Sequence, residues 1–259
     1  MFYQFITTRP QDAYMADVYK TDLGRDFDRG LTRALRFAAR PESMRYNLAA
    51  VRIDAANRRM IATDGCRLVV AHLRDTQDLP TVSLDVVSLL RAREEADKGG
   101  LQEAHVTPWG LAFDVIHTFV GLASDQKFPD VDNVIPKTEP SIRVEGGALL
   151  KACKRLRKLA DRADAAITMR VNVEAGELSL EIQATQTKSK QAETVKVPCA
   201  VLKALAKRQE RIGIDLKYLA DAVIDTERSL SLGWDDDLSP IKISEEGTDD
   251  FAVVMPMRL

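Results

Sequence analysis

The sequence has few of the residues that carry metal and redox chemistry, with three His and three Cys among its 259 residues. His72, His105 and His117 are scattered, and none has a Cys or Glu partner at metal-ligand spacing. The motifs G-x-G-x-x-G, H-E-x-x-H and C-x-x-C and the P-loop are absent. These absences exclude the common motif-bearing enzymes of nucleotide and zinc chemistry, and we expect no catalytic residue, metal or cofactor. Asp64, in the segment ATDG, is better explained by a tight hairpin turn than by a catalytic carboxylate.

Long hydrophobic runs are also lacking. No apolar stretch approaches the roughly 20 residues that a transmembrane helix needs. The N-terminal segment has neither the basic start nor the small-residue cleavage site of a signal peptide. Cys66, Cys153 and Cys199 are odd in number and widely spaced, which indicates reduced thiols. We therefore expect a cytoplasmic protein.

An internal repeat organises the chain. Val82–Leu90 (VSLDVVSLL) and Ile212–Ala220 (IGIDLKYLA) each predict a short strand, then an Asp, then the start of a helix. Asp85 and Asp215 stand at the N-cap position, where a carboxylate accepts the free backbone N–H groups of the first turn. The spacing of the two segments is half the chain, which predicts two similar domains.

The remaining elements repeat in the same order. Each predicted first helix, over 29–40 and 147–162, is followed by two strands joined by a short turn, at Ala55-Ala56-Asn57 and at Ala175-Gly176. Strands outnumber helices and the turns are short, so the fold class is α+β with antiparallel sheets. Pro136 and Pro140 mark a linker. The predicted domains are residues 1–138 and 139–259, and the first 20 or so residues are either an opening strand or a loose arm.

Both predicted first helices carry a row of basic residues on one face. In the first helix the row follows the spacing i, i+4, i+7, i+11, and the second helix has an equivalent row. Such a row can follow DNA phosphates without reading sequence, although a solvated helix face would have the same pattern. With Arg91 of an Asp-capped helix added, the candidate DNA-binding residues are Arg29, Arg33, Arg36, Arg40, Arg91, Lys151, Lys154, Arg155, Lys158 and Arg162.

Acidic residues offset this basic charge, and the net charge is −2. They cluster at Asp235-Asp236-Asp237, Glu245-Glu246 and Asp249-Asp250, in segments that we predict to be turns. Since nothing nearby offers a fixed set of ligands, we expect solvated turns rather than a metal site.

Four segments resemble the second and third domains of the bacterial DNA polymerase III beta subunit. They are Leu48–Asp54, Ile61–Leu68 (IATDGCRL), Lys127–Pro136 (KFPDVDNVIP) and Val254–Leu259 (VMPMRL). Each segment alone is a weak signal of this resemblance, but the four segments in this order and at this spacing are a specific one. The resemblance covers about residues 20–259. It implies a non-enzymatic processivity factor built from two DNA-clamp domains, with antiparallel sheets outside and helices lining a channel around duplex DNA.

The resemblance also implies a six-domain ring and a peptide-binding cleft. Family members carry three such domains and this sequence shows two, so we expect a homotrimer ring. The cleft implies polymerase, clamp-loader and other partners that dock short peptides. Carried over by position, its residues are Leu48, Thr63, Gly65, Arg67, Leu68, Pro129, Val134, Pro240, Val253, Met255, Pro256, Met257, Arg258 and Leu259. Asn133 stands where the family often has Arg, and Cys66 where it often has His, which affects the expected peptide specificity.

Two other functions remain open at the level of sequence. One is a clamp-fold binding or regulatory module that captures clamp-binding peptides without forming a ring. The other is an enzyme of unknown type, which the missing motifs disfavour.

Overall fold

The computed structural model describes residues 19–21, 25–40, 46–74, 79–90, 104–107, 110–113, 118–120, 127–162, 164–223 and 225–258. Over these residues the chain is a mixture of a few helices and many antiparallel strands. The helices are α1 (Arg25–Phe37), α2 (described over residues 86–90), α3 (Gly146–Leu159) and α4 (Leu216–Ala222). In this described part, no helix is long and apolar enough to cross a membrane.

The strands of the first half are β1 (Tyr19–Thr21), β2 (Ala50–Asp54), β3 (Arg59–Thr63), β4 (Arg67–His72), β5 (Val82–Asp85), β6 (Ala104–Thr107), β7 (Gly110–Phe113) and β8 (Thr118–Val120). Those of the second half are β9 (Ile142–Glu145), β10 (Ala166–Asn172), β11 (Glu177–Ile182), β12 (Glu193–Val201), β13 (Arg211–Asp215), β14 (Ser229–Gly233), β15 (Ile241–Glu245) and β16 (Phe251–Val254). Within the described residues, each half has the order strand, helix, four strands, helix, three strands, so the two halves repeat one arrangement.

Two sheets contain all of these strands. The smaller sheet has the order β1-β6-β7-β8. The larger has the order β13-β10-β11-β12-β9-β14-β15-β16-β4-β3-β2-β5 and continues from the second half into the first through β16 and β4. Four residue pairs form this junction, from Phe251 opposite Val70 to Val254 opposite Arg67. The two halves therefore share one backbone hydrogen-bond ladder.

The main core lies between the helices and one face of the large sheet. Alternation along the strands directs Val51, Ile53, Val69 and their neighbours toward the helices. In α3 the buried side chains include Leu149, Cys153 and Leu156, at the spacing of one helix face. Apolar periodicity thus fixes which face of each element is buried.

The predicted turn and cap residues lie where the sequence places them. Gly65 and Gly176 have φ values of 87° and 60°, a left-handed conformation that glycine adopts without strain. The Asp215 carboxylate accepts hydrogen bonds from the amides of Lys217 and Tyr218 at 2.7 and 3.0 Å. Asp85 accepts one from Ser88 at 2.8 Å. The predicted helix starts are confirmed at both Asp residues.

Candidate functional site

Helix α3 presents its basic row to solvent. Lys151, Lys154, Arg155 and Lys158 are all exposed, and Arg162 is exposed three residues after the helix ends. The opposite face carries the buried Leu149, Cys153 and Leu156. The row can therefore meet an anionic surface without any rearrangement of the helix.

Helix α1 differs from the prediction at its centre. Arg36 and Arg40 are exposed and Arg29 is partly exposed, but Arg33 is only 3% exposed. Its guanidinium forms ion pairs with Glu245 at 2.6 Å and with Asp250, both from the second half. The prediction that Arg33 belongs to an exposed DNA-binding row is wrong, because the junction buries this side chain. Arg91 lies outside the described residues.

The acidic residues at the junction are also buried. Glu245 and Asp250 are 2% and 1% exposed, so these two are not solvated turn residues as predicted. Burial by itself raises the pKa of Asp250, but hydrogen bonds from His72 and the charges of Arg33 and Arg29 outweigh it and hold the pKa below its usual value. Arg228 approaches Glu245 at 2.9 Å. The junction thus contains a buried cluster of opposite charges.

A second apolar cluster lies on the other face of the large sheet. We call it the outer cluster; it consists of Ala50, Ile61, Leu68, Val70, Phe128, Val131 and Val253, with Ile135 and Phe251 packed against it. Its residues come from β2, β3, β4, β16 and the segment 127–136, which we call the linker, so it spans both halves. Leu68 and Val253 are directly opposite each other across the β4–β16 junction.

Several predicted cleft residues surround the outer cluster. Leu68 and Val253 belong to it, and Pro129 lies between its members Phe128 and Val131. Val134 and Met255, close in sequence to Val131 and Val253, are 57% and 45% exposed. Large apolar side chains left in water beside a buried apolar floor are typical of a docking surface. With Ala50 of the outer cluster included, the structure brings together residues from all four resembling segments.

The linker is fixed to the sheet by a residue that the sequence did not single out. Arg59 donates to both carboxylate oxygens of Asp132, at 2.7 and 2.9 Å, and to Asp54 at 2.8 Å. The hydrogen bonds from Arg59 hold the pKa of Asp132 below its usual value. Asp132 begins the 3-10 turn that carries Val134. Pattern alone does not pair residues so far apart in sequence.

Arg67 lies on the helix side of the sheet, away from the outer cluster. Its guanidinium contacts the rings of Phe37 and Tyr218, 5.0 and 4.5 Å from the ring centroids, and donates to the Arg36 carbonyl at 2.7 Å. Asp64 and Asp221 neutralise its charge. Because successive residues of a strand point to opposite faces, Arg67 and Leu68 cannot both line one surface, which corrects the predicted cleft.

The other predicted cleft residues are distributed around the hairpin and the C-terminal segment. The Thr63 hydroxyl donates to the Arg67 carbonyl at 2.6 Å, and Leu48 is buried before β2. The backbone amide of Met255 donates to the Cys66 carbonyl at 2.9 Å, and that of Met257 donates to the Gly213 carbonyl at 2.9 Å. Pro240, Pro256 and Met257 are partly buried and Arg258 is exposed. Gly65 is exposed at the turn and Leu259 lies outside the described residues.

Two repeated α+β units, with helices on one side of sheets that continue from unit to unit, define the DNA-clamp fold. Solved sliding clamps match it. A Caulobacter crescentus beta sliding clamp has a TM-score of 0.76 at 19% identity, covering 94% of this chain and 66% of that one. A Pseudomonas aeruginosa clamp gives 0.75 at 20%, covering 93% and 66%. A Bartonella birtlesii clamp bound to griselimycin gives 0.71 at 18%, covering 89% and 63%. The predicted fold class is confirmed.

Sequence comparison finds similarity to the same proteins. Residues 132–258 match the family model of the DNA polymerase III beta subunit, C-terminal domain. The Beta sliding clamp of Pseudomonas putida is 28% identical over 245 residues, 89% of this chain and 63% of that protein. That of Escherichia coli K12 is 25% identical over 247 residues, 88% and 63%. The chain is similar to these bacterial beta sliding clamps and spans less than two thirds of their length, as the motif resemblance predicts. The expectation that it is not an enzyme agrees with relatives named as clamps.

Proposed function

We propose that this chain is a DNA sliding-clamp-like processivity factor, which encircles duplex DNA as a ring and tethers replication proteins through the outer cluster. The chain divides into two clamp domains, residues 1–138 and 139–259, and acts in the cytoplasm. The observation that carries the proposal concerns one edge of β8 and one edge of β12. These edges correspond to the paired edges of β16 and β4 at the internal junction, but no described strand pairs with them.

The internal junction pairs β16 with β4, and the repeat makes β8 the counterpart of β16 and β12 the counterpart of β4. Thr63 of β3 pairs with Leu68 of β4, and in the second half Glu181 of β11 pairs with Thr194 of β12. Thr63 and Glu181 are each the fifth residue of their strand, so their partners Leu68 and Thr194 occupy equivalent positions. Among the described strands, none pairs with the other edge of β12 over residues 193–198, and β8 ends its sheet.

Docking β8 of one copy onto β12 of the next would repeat the internal junction in every contact. A head-to-tail contact of this kind closes into a ring when the rotation between copies allows it. Six clamp domains in the ring correspond to three copies of this chain. The proposed assembly is therefore a homotrimer.

The exposed basic row gives this ring its DNA-facing surface. Arg36, Arg40, Lys151, Lys154 and Lys158 lie on helices that share one side of the large sheet. Cations in such a row contact phosphates without reading bases, so binding is independent of sequence and falls steeply with salt. Arg29, Arg91 and Arg162 complete the proposed surface.

The outer cluster is the proposed docking site for short peptides of DNA polymerase, the clamp loader and other clamp-binding proteins. Val134 and Met255 are exposed at its margins, and a flexible thioether adapts to different apolar side chains. Leu48, Pro129, Pro256 and Met257 lie close in sequence to residues of the outer cluster, and Pro240 directly precedes β15, the neighbour of β16. All five are proposed as further contacts. The peptide contributes apolar anchors.

The mass in solution tests the ring. Sedimentation equilibrium over a dilution series is expected to give about 86 kDa, three copies of the 28.8 kDa chain. The protein should also stay on a nicked circular plasmid through a gel-filtration column and leave it once the plasmid is cut. A single chain at concentrations well above micromolar would overturn the ring.

DNA binding has its own test. Replacing Lys151, Lys154 and Lys158 by Ala is expected to reduce the slope of log affinity against log salt by roughly 3, about 0.9 for each phosphate that the protein no longer neutralises. The control replaces Lys137, Lys203 and Lys207, which removes the same charge from other surfaces. Equal effects of the two triple variants would contradict a specific DNA-facing row.

Peptide capture without a ring is the second candidate, because every residue of the outer cluster comes from one chain. Fluorescent griselimycin, the compound bound by the Bartonella clamp, is the probe. Met255→Asp is expected to weaken its binding at least tenfold, whereas Val173→Asp, at a residue of similar exposure, leaves binding unchanged. Peptide binding by a stably monomeric protein would favour this second function.

A further inference from the structure

Helices α1 and α3 correspond residue by residue. Both precede a strand hairpin of the same topology, and one alignment matches five of their buried small and apolar positions. The matched pairs are Phe27 with Leu149, Gly30 with Ala152, Leu31 with Cys153, Ala34 with Leu156, and Ala38 with Ala160. Equivalent burial at five positions fixes the register of the two helices.

The same alignment matches the four basic positions of the first helix with basic residues of the second. The pairs are Arg29 with Lys151, Arg33 with Arg155, Arg36 with Lys158, and Arg40 with Arg162. Three of these pairs are at least partly exposed in both helices, but Arg33 is buried and Arg155 is exposed. A single pair thus differs in environment between the two halves.

The cause of the difference is the strand beside each helix. Arg33 lies next to the β4–β16 junction and reaches Glu245, at the end of β15, and Asp250, directly before β16. Arg155 has the equivalent position beside β12, whose residues 193–198 have one free edge. Within the described part of the chain, Arg155 makes no ion pair. Arg155 thus corresponds to the junction arginine Arg33, but it lies beside a strand edge that pairs with none of the described strands.

We infer that Arg155 belongs to the contact between two copies of this chain, where it pairs with a carboxylate of the copy that docks its β8 on β12. This inference rests on the proposed ring. It also separates Arg155 from the DNA-facing row, in which Lys154 and Lys158 remain. A guanidinium suits the role because it can hold two carboxylate oxygens in one plane, as Arg33 holds two side chains.

The test compares two charge reversals on adjacent exposed residues, Arg155→Glu and Lys154→Glu. Self-association of each variant is measured by sedimentation velocity over a dilution series. Arg155→Glu is expected to move the assembly midpoint to concentrations roughly 100-fold higher or more, because a like charge replaces a desolvated pair. Lys154→Glu leaves the midpoint within about threefold of the wild-type protein. Thermal unfolding of the dilute chains should be equal, since both residues are exposed there.

Arg155→Lys separates pairing geometry from charge alone. It keeps the charge, and is expected to weaken assembly by about tenfold because the planar fork is lost. If the wild-type protein assembles and Arg155→Glu assembles equally well, the inference is overturned while the proposed ring stands. If the wild-type protein remains a single chain at every concentration, the ring fails and the inference with it.

Discussion

The Arg33 guanidinium on α1 lies 2.6 Å from the Glu245 carboxylate on β15, and 212 positions separate the two residues in the sequence. Both side chains are almost completely buried. The pair joins the helix layer of one half to the sheet of the other. The junction therefore has a charged interior beside its backbone ladder.

Replacing Arg33 by Met should destabilise the protein by about 3–5 kcal/mol, because Glu245 and Asp250 would remain buried without their shared cation. Urea unfolding at pH 7 measures the change. Arg36→Met, on the exposed face of the same helix, is the matched control and should change the free energy of unfolding by less than about 0.5 kcal/mol. Similar losses in both variants would contradict the role assigned to Arg33.

Acid should weaken the junction through Asp250. Its pKa in the folded protein is lowered, so the ionised carboxylate contributes stability above its unfolded pKa of about 3.9, and this contribution is lost as pH falls through the folded value. The free energy of unfolding should therefore fall below about pH 4. Urea titrations at several pH values test this. Asp250→Asn should be less stable at pH 7 and lose less on acidification.

The Arg59–Asp132 pair should order the linker more than it stabilises the fold. Asp132→Asn removes half of a partly exposed ion pair, and we expect less than about 1 kcal/mol of lost stability. Amide exchange at Val134, whose N–H donates to the Val131 carbonyl, should nevertheless become faster. Hydrogen exchange read by mass spectrometry gives both quantities. Unchanged exchange would show that the apolar contacts alone hold the linker.

Truncation should distinguish the buried floor of the outer cluster from its exposed margin. Leu68→Ala, at a residue 3% exposed, should cost about 2–5 kcal/mol through lost burial and the cavity that remains. Met255→Ala, at a residue 45% exposed, should change stability by less than about 0.5 kcal/mol. Urea unfolding of both variants provides the comparison. Equal costs would mean that Met255 is part of the core.

Local signals predicted most of the secondary structure. Asp85 and Asp215 marked helix starts, and the segments turning at Ala55-Ala56-Asn57 and Ala175-Gly176 became hairpins, because caps and tight turns depend on neighbouring residues alone. Strands β9 and β12 were not identified, although Ile142 and Val144 in β9 and Val195 and Val197 in β12 follow the alternation of a strand. The opening strand β1 was one of two alternatives, and the structure pairs it with β6.

The sites were less predictable because they depend on contacts between the halves. Helical spacing placed Arg33 in a row with Arg29 and Arg36, but spacing cannot show that a second half covers the centre of that row. The same limit applies to Glu245 and Asp250, which resemble turn residues in sequence. Arg59 had no local signal, since its partner Asp132 lies on the linker.

Strand β12 has a consequence for copies that have not yet assembled. A free strand edge can recruit unrelated strands and start aggregation. The outward side chains of β12 include exposed Lys196 and Pro198, and lysine and proline on an edge discourage indiscriminate pairing. These residues therefore disfavour fibril formation from this edge in chains that are still unassembled. They leave the edge able to pair with a strand of matching shape and charge.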